Sequence, residues 1–330
     1  MKRPPLSACL AVALFHSMVQ AAPAAQAGVA ATCVSRPDTA GWIEHALNGW
    51  RIVRRDALHL HTEAKPSIIL FDGSCVWSGT VSEPFSGAPH DGRMTLPDGT
   101  VIDATLTSFA GTYGADDRPF MVMALPEIWR RDPRHAKTPD LDRLIRSVFV
   151  HEMTHTEQAH STGVWLRSVE ARYKLPADLS DDIIQDRFSS TPWFREAYEA
   201  ERDLLYEAAA ERDAGRRRML AARALDAMEA RRSRYFAGAD AIYAELEDLF
   251  LNMEGAGNWA AYRLAAGEMQ APGAAVDFIR GGRRRWSQDE GLALFLVIDA
   301  MLPDWQSRAF ASTPASVVDL LRQAVGRAAK

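Results

Sequence analysis

The spacing of apolar positions changes character once along the chain. From about Trp42 to Leu125 they fall in short alternating runs broken by turn residues. Examples are Arg51-Ile52-Val53-Arg54, Ser67-Ile68-Ile69-Leu70-Phe71 ahead of Asp72-Gly73, and Met94-Thr95-Leu96 ahead of Pro97-Asp98-Gly99. A period of two, punctuated by Asp, Gly and Pro, is the pattern of half-buried strands and hairpins. The segment Glu83 to Asp91, rich in Pro, Gly and Ser, reads as a loop. After Pro133 the period becomes helical and stays so almost to the end. Thr138-Pro139-Asp140 is a helix start, with Pro where its missing N–H costs nothing, and that helix should run to about His160. Further starts stand at Ser180-Asp181-Asp182, Thr191-Pro192, Gly238-Ala239-Asp240, Ser287-Gln288-Asp289 and Thr313-Pro314. Between Trp193 and Phe236, Glu and Arg recur at spacings of three and four, which predicts a helical hairpin turning near Asp213-Ala214-Gly215 with exposed ion pairs. The expectation is an α+β protein: a small, mostly antiparallel β region over residues 28–137, then a mostly α-helical domain over 138–330.

The first residues alter this picture only by their destination. Lys2 and Arg3 precede an apolar stretch from about Leu6 to Val19 and then small residues, the layout of a cleaved signal peptide over residues 1–27. No later stretch is long and uncharged enough for a membrane span, so no stable membrane insertion is expected after the signal is removed. Leu6-Ser7-Ala8-Cys9 imitates a lipoprotein box but precedes the apolar stretch instead of ending it. A periplasmic or secreted protein is expected. The two remaining cysteines, Cys33 and Cys75, would then pair in an oxidising compartment. A net charge of -5 provides no broad positive field, and the arginine runs at 216–218 and 283–285 are short, so nucleic acid is excluded as a partner.

One segment carries chemistry. In His151-Glu152-Met153-Thr154-His155 the two histidines stand four apart, so on a helix both imidazoles project from one face and can bind one metal ion. Leu144 and Val148 lie on the same stripe, which turns the pair inward. Glu152 is rotated by about 100° from His151, beside the metal instead of on it, which is the place of a general base. A catalytic zinc takes three protein ligands and keeps a position for water. Gln158 and Ser161 occupy the positions where a metzincin carries Gly and His, and His160 is out of register, so the third ligand must come from elsewhere.

Glu254 stands out among the acidic candidates. Its helix carries an apolar stripe of Ile242, Leu246, Leu249, Met253 and Ala260, bordered by Glu247, Glu254 and Asn258, and the small residues Gly255 to Gly257 permit close approach of another helix. Glu170, Glu207 and Glu211 are rivals. Glu247 is a candidate partner for the second ring nitrogen of a ligand histidine. Tyr262, two turns beyond Glu254, is a candidate donor to an oxyanion. His59 and His61, alternating on an expected strand, read as exposed, and His90 lies in the loop.

The motif at residues 151–155, followed by Glu254-Gly255-Ala256-Gly257-Asn258-Trp259, resembles the gluzincin class of zinc peptidases. In several of its branches, including bacterial collagenase-like enzymes, the third ligand opens a Glu-Gly-x-Ala-x-aromatic helix. The resemblance implies a zincin-like catalytic domain with Zn2+ on His151, His155 and Glu254, and Glu152 as the general base for hydrolysis of a protein or peptide substrate by zinc-activated water. Gly257 stands where Ala is usual, and 98 residues separate His155 from Glu254, so the helical hairpin would be an insertion between the two ligand helices. Two other functions fit the residues: a zinc hydrolase of a non-peptide envelope amide, and a non-catalytic envelope binding protein with a structural metal site.

Overall fold

The computed structural model describes Cys33 and residues 37–61, 64–176, 179–281 and 285–326. The expected signal peptide, with its Leu6 to Cys9 segment, lies outside the described residues, as do Arg283 and Arg284. The chain forms two compact units, one of residues 37–52 and 64–159, the other of residues 53–61 and 160–326 among those described. The fold is α+β. Among the described residues no helix is long and apolar enough to cross a membrane.

Helix α1, Pro37–Asp56, is the first element of the described chain; its residues to Ile52 belong to the first unit and its last turn to the second. Strands β1 Ser67–Phe71, β2 Cys75–Gly79, β3 Ser86–Pro89, β4 Arg93–Thr95, β5 Val101–Asp103, β6 Ser108–Tyr113 and β7 Arg118–Ala124 follow, then helices α2 Pro126–Arg131 and α3 Leu141–Gln158. Five strands make one sheet in the order β3-β2-β1-β7-β6, with β1 and β7 parallel and the other neighbours antiparallel. The two central strands carry the apolar runs Ile68–Phe71 and Phe120–Ala124, buried throughout, as a strand covered on both faces requires. The β1–β2 turn is closed by Asp72, whose Oδ1 accepts from the backbone N–H of Ser74 and Cys75 and whose Oδ2 accepts from Trp77 Nε1. The Pro97-Asp98-Gly99 turn joins β4 to β5, with Gly99 at φ +86°. Cys33 and Cys75 form a disulfide across 42 residues of sequence. Loop closure of that length restricts the unfolded chain by about 4 kcal/mol in the chain-entropy account.

Three expectations are corrected here. Arg51-Ile52-Val53-Arg54 is helix, because it belongs to α1, whose buried positions Ile43, Ala46, Leu47, Trp50 and Val53 recur at three and four. His59 and His61 follow that helix in irregular backbone, not a strand, with His59 at φ +53°; both are exposed, as expected. The loop from Glu83 contains β3, an edge strand whose four residues are all exposed.

Helix α3 starts after Asp140, ends at Gln158, within two residues of its expected end, and packs against β6 and β7. The second unit is helical: α4 Thr162–Tyr173, α5 Ile183–Phe188, α6 Pro192–Ala210, α7 Ala214–Tyr235, a 3-10 turn at Gly238–Ala241, α8 Ile242–Met269, α9 Pro272–Arg280, α10 Trp286–Met301, α11 Trp305–Ala309 and α12 Val317–Ala324. The expected hairpin is α6 and α7, and Asp213 caps α7 by accepting from Arg216 N–H. Its ion pairs are not all exposed. Arg231 is completely buried and donates to Glu201 and Glu247, while Phe194 packs under its guanidinium at 4.8 Å.

Helices α8 and α10 form the most extensive pairing of this unit, and they cross at Gly255 and Gly291. A Cβ on Gly255 would fall 2.7 Å from the Gly291 backbone, and one on Gly291 would fall 2.6 Å from Gly255 Cα. Only a residue without a side chain lets the two backbones approach this closely.

Candidate metal centre

Both histidines of the motif lie on α3 where the helix is buried on all sides, from Phe149 to Thr156. Leu144 and Val148, placed on the same stripe, are only half-buried; Ile145, Phe149 and Met153 supply the fully buried apolar face. A polar helix segment so enclosed has to satisfy its hydroxyls locally. Thr154 Oγ1 donates to Val150 C=O at 2.8 Å and Thr156 Oγ1 to Met153 C=O at 2.7 Å. The Nε2 atoms of His151 and His155 lie 2.9 Å apart, with the rings edge to face. His155 Nδ1 is 2.9 Å from Gln158 Oε1. An oxygen there accepts, so Nδ1 carries the proton and Nε2 presents its lone pair.

Glu254 lies on α8 in a stretch buried from Leu249 to Gly257, and it is itself fully buried. Its Oε2 accepts from Gln288 Nε2 at 3.0 Å. Gln288 is held a second time, since its C=O accepts from Asn258 Nδ2 at 3.2 Å, one turn beyond Glu254.

His151, His155 and Glu254 form a buried group that could hold a metal ion: each offers one ligand atom, and the three atoms lie within 4.8 Å of one another. Among the described residues it is the single such group of three or more His, Cys, Asp or Glu side chains. Two imidazole nitrogens and one carboxylate oxygen are the donor set of a catalytic zinc. A tetrahedral ion with N–metal bonds near 2.05 Å would place its two nitrogens about 3.3 Å apart, so the rings need to part by only about 0.4 Å. The donors fit.

Glu152 is fully buried in the same helix turn but does not belong to the ligand group, as its rotation about the axis requires. The other candidates fall outside the group too. Glu170 and Glu211 are half-buried, Glu207 and His160 exposed. Glu247 does not serve a ligand histidine: Arg231 Nη1 donates to its Oε1 at 2.9 Å and Arg232 Nε to its Oε2 at 2.6 Å, and the two guanidinium charges hold its carboxyl below the usual range against the effect of burial. Tyr262 is half-buried, its phenol pushed up by burial, with Arg263 and Asp299 as charged neighbours. Eight residues of helix rise by about 12 Å, which sets Tyr262 apart from the Glu254 carboxylate. His90 instead fixes a turn, accepting from Gly92 N–H at its Nδ1.

The Glu-Gly-x-Ala-x-aromatic pattern occurs a second time, and more completely, at Glu290-Gly291-Leu292-Ala293-Leu294-Phe295 on α10. Glu290 belongs to the charge cluster of Glu201, Arg231 and Glu247 and not to the ligand group. Position, not pattern, singles out Glu254. A small cavity in the helical unit, with room for about one water, is lined by Asp182, Tyr198, Glu247, Trp286 and Glu290 among others, and by none of His151, His155 and Glu254.

No protein-family model, curated protein or solved structure matches the chain.

Proposed function

We propose that the protein is an exported zinc-dependent peptidase of gluzincin type. The observation that carries this reading is the convergence of His151, His155 and Glu254 beside the buried, non-ligating Glu152. A structural metal site needs no adjacent carboxylate, whereas a hydrolase needs a base. The Cys33–Cys75 disulfide supports an oxidising compartment, periplasmic or extracellular.

When bound, zinc supplies a Lewis acid that brings the pKa of a coordinated water to about 7. The chain provides the rest. His151 and His155 would hold the ion as neutral imidazoles and Glu254 as a carboxylate, a donor set that would leave part of a divalent charge to polarise a carbonyl. Glu152 takes the proton of the attacking water on its carboxylate and returns it to the leaving amine. Burial of all four side chains excludes bulk water, which strengthens each of these charge interactions.

The reading predicts about one zinc per chain in protein purified without chelator, and cleavage of a mixed peptide library that stops on chelation and resumes when zinc is returned. Metal analysis by mass spectrometry and product identification make the check. Folded protein without metal, or cleavage indifferent to chelation, overturns the reading. Release of small amines from envelope material with no cleavage of peptides moves the substrate to a non-peptide amide.

A further inference from the structure

Resting on the metal-centre reading above, we propose that Gln288 and Gln158 are positioning residues of the centre, orienting Glu254 and His155 through neutral amides.

A metal ligand has two faces. The atom that does not meet the metal must be held, or the ligand swings; partners of this kind fix the imidazole tautomer and the carboxylate rotation. Gln158 does the first. It stands three residues after His155 on the same rigid helix, is 2% exposed, and its Oε1 accepts from Nδ1–H at 2.9 Å. The bond commits His155 to the tautomer whose Nε2 lone pair faces His151 Nε2. An apolar side chain at 158 would free the ring to rotate and would allow the other tautomer, which cannot bind metal through Nε2.

Gln288 does the second. Its Nε2 donates to Glu254 Oε2, so one carboxylate oxygen is engaged on the α10 side and the rotation of the carboxylate is held. The geometry is fixed from both ends. Asn258 Nδ2 donates to the Gln288 backbone, and the Gly255–Gly291 contact sets the spacing of the helices that carry Glu254 and Gln288. Both partners are amides, and an amide holds a ligand without adding negative charge. A carboxylate in place of Gln158 would make His155 more basic and draw positive charge from the metal.

The test uses the full-length protein and zinc or cobalt as the probe. Affinity is read by chelator competition, and cobalt geometry by visible absorption. Gln288→Met and Gln158→Met, close in volume to glutamine, are expected to weaken metal binding 10- to 100-fold each and to change the cobalt spectrum. The melting temperature of metal-free protein reports the fold independently. Gln158→Glu restores an acceptor; it is expected to return metal affinity to the wild-type level or above while moving the acidic limb of the pH–rate profile upward. Unchanged affinity and spectrum in both Met variants, with the wild type binding metal, overturns this proposal and leaves the metal centre standing. A wild type that binds neither ion overturns both.

Discussion

On the proposed peptidase function, Glu152→Gln is expected to leave the protein folded and loaded with zinc while lowering peptide hydrolysis by roughly 10²- to 10⁴-fold, the usual contribution of a positioned general base. The substitution is nearly isosteric at a fully buried position, so packing of α3 is kept, and it removes a buried charge instead of stranding one. The group that could hold the metal is His151, His155 and Glu254, so the amide would take no ligand from it. What it removes is the ability to accept a proton. Metal analysis, circular dichroism and initial rates on one preparation make the measurement. Rates within a few-fold of wild type would remove Glu152 from the chemistry. Loss of zinc in the variant would mean that Glu152 holds the metal.

The second large effect is on stability. Arg231→Met is expected to destabilise the protein by about 3–5 kcal/mol, read by urea unfolding, because it leaves buried carboxylates without their cation. Arg231 Nε donates to Glu201 Oε1 at 2.8 Å, Nη2 contacts the same oxygen, and Nη1 reaches Glu247 Oε1. Glu201, Glu290 and Glu247 lie close enough to repel one another. Burial first, and then the neighbouring Glu201 carboxylate, push the Glu290 carboxyl well above the usual range. An acid whose folded pKa exceeds its unfolded value, near 4.3, binds more protons folded than unfolded between the two values. Stability from this group is therefore full below the unfolded pKa and is lost as pH rises toward the folded one. Glu290→Gln, fixed in the neutral form, is expected to gain on the wild type at pH 8 relative to pH 5. An Arg231→Met cost below 1 kcal/mol, or a Glu290→Gln effect independent of pH, would sink this account of the cluster.

The parts of the molecule that could be read from the chain are those where local spacing determines the outcome. Four residues on a helix bring His151 and His155 together whatever surrounds them. Thr191-Pro192 and Asp213 mark α6 and α7 because Pro and Asp act on the first turn alone. Asp72 and Gly99 mark hairpins for the same reason. Helix α1 was obscured by a four-residue window: Arg51-Ile52-Val53-Arg54 alternates like a strand, and only the longer series Ile43, Ala46, Leu47, Trp50 shows the helical period. Strand β3 had no apolar alternation to show. It is an exposed edge, and Gly87 is there because a Cβ would lie 2.6 Å from the Trp77 ring. Buried charge is the hardest to foresee, since Glu201 and Arg231 have the same spacing and composition as their solvated neighbours. Of the two Glu-Gly pairs that meet where α8 and α10 cross, only the one with Glu254 belongs to the group that could hold a metal, a matter of tertiary packing that no local pattern encodes.

That crossing has a consequence for genetics. Gly255 and Gly291 touch no metal, yet a methyl group on either would part the helices that carry Glu254 and Gln288. A random library screened for variants that remain folded but fail to retain zinc should therefore return these two glycines alongside the ligands themselves, so that a defect arising in the backbone scaffold would be scored as one of coordination.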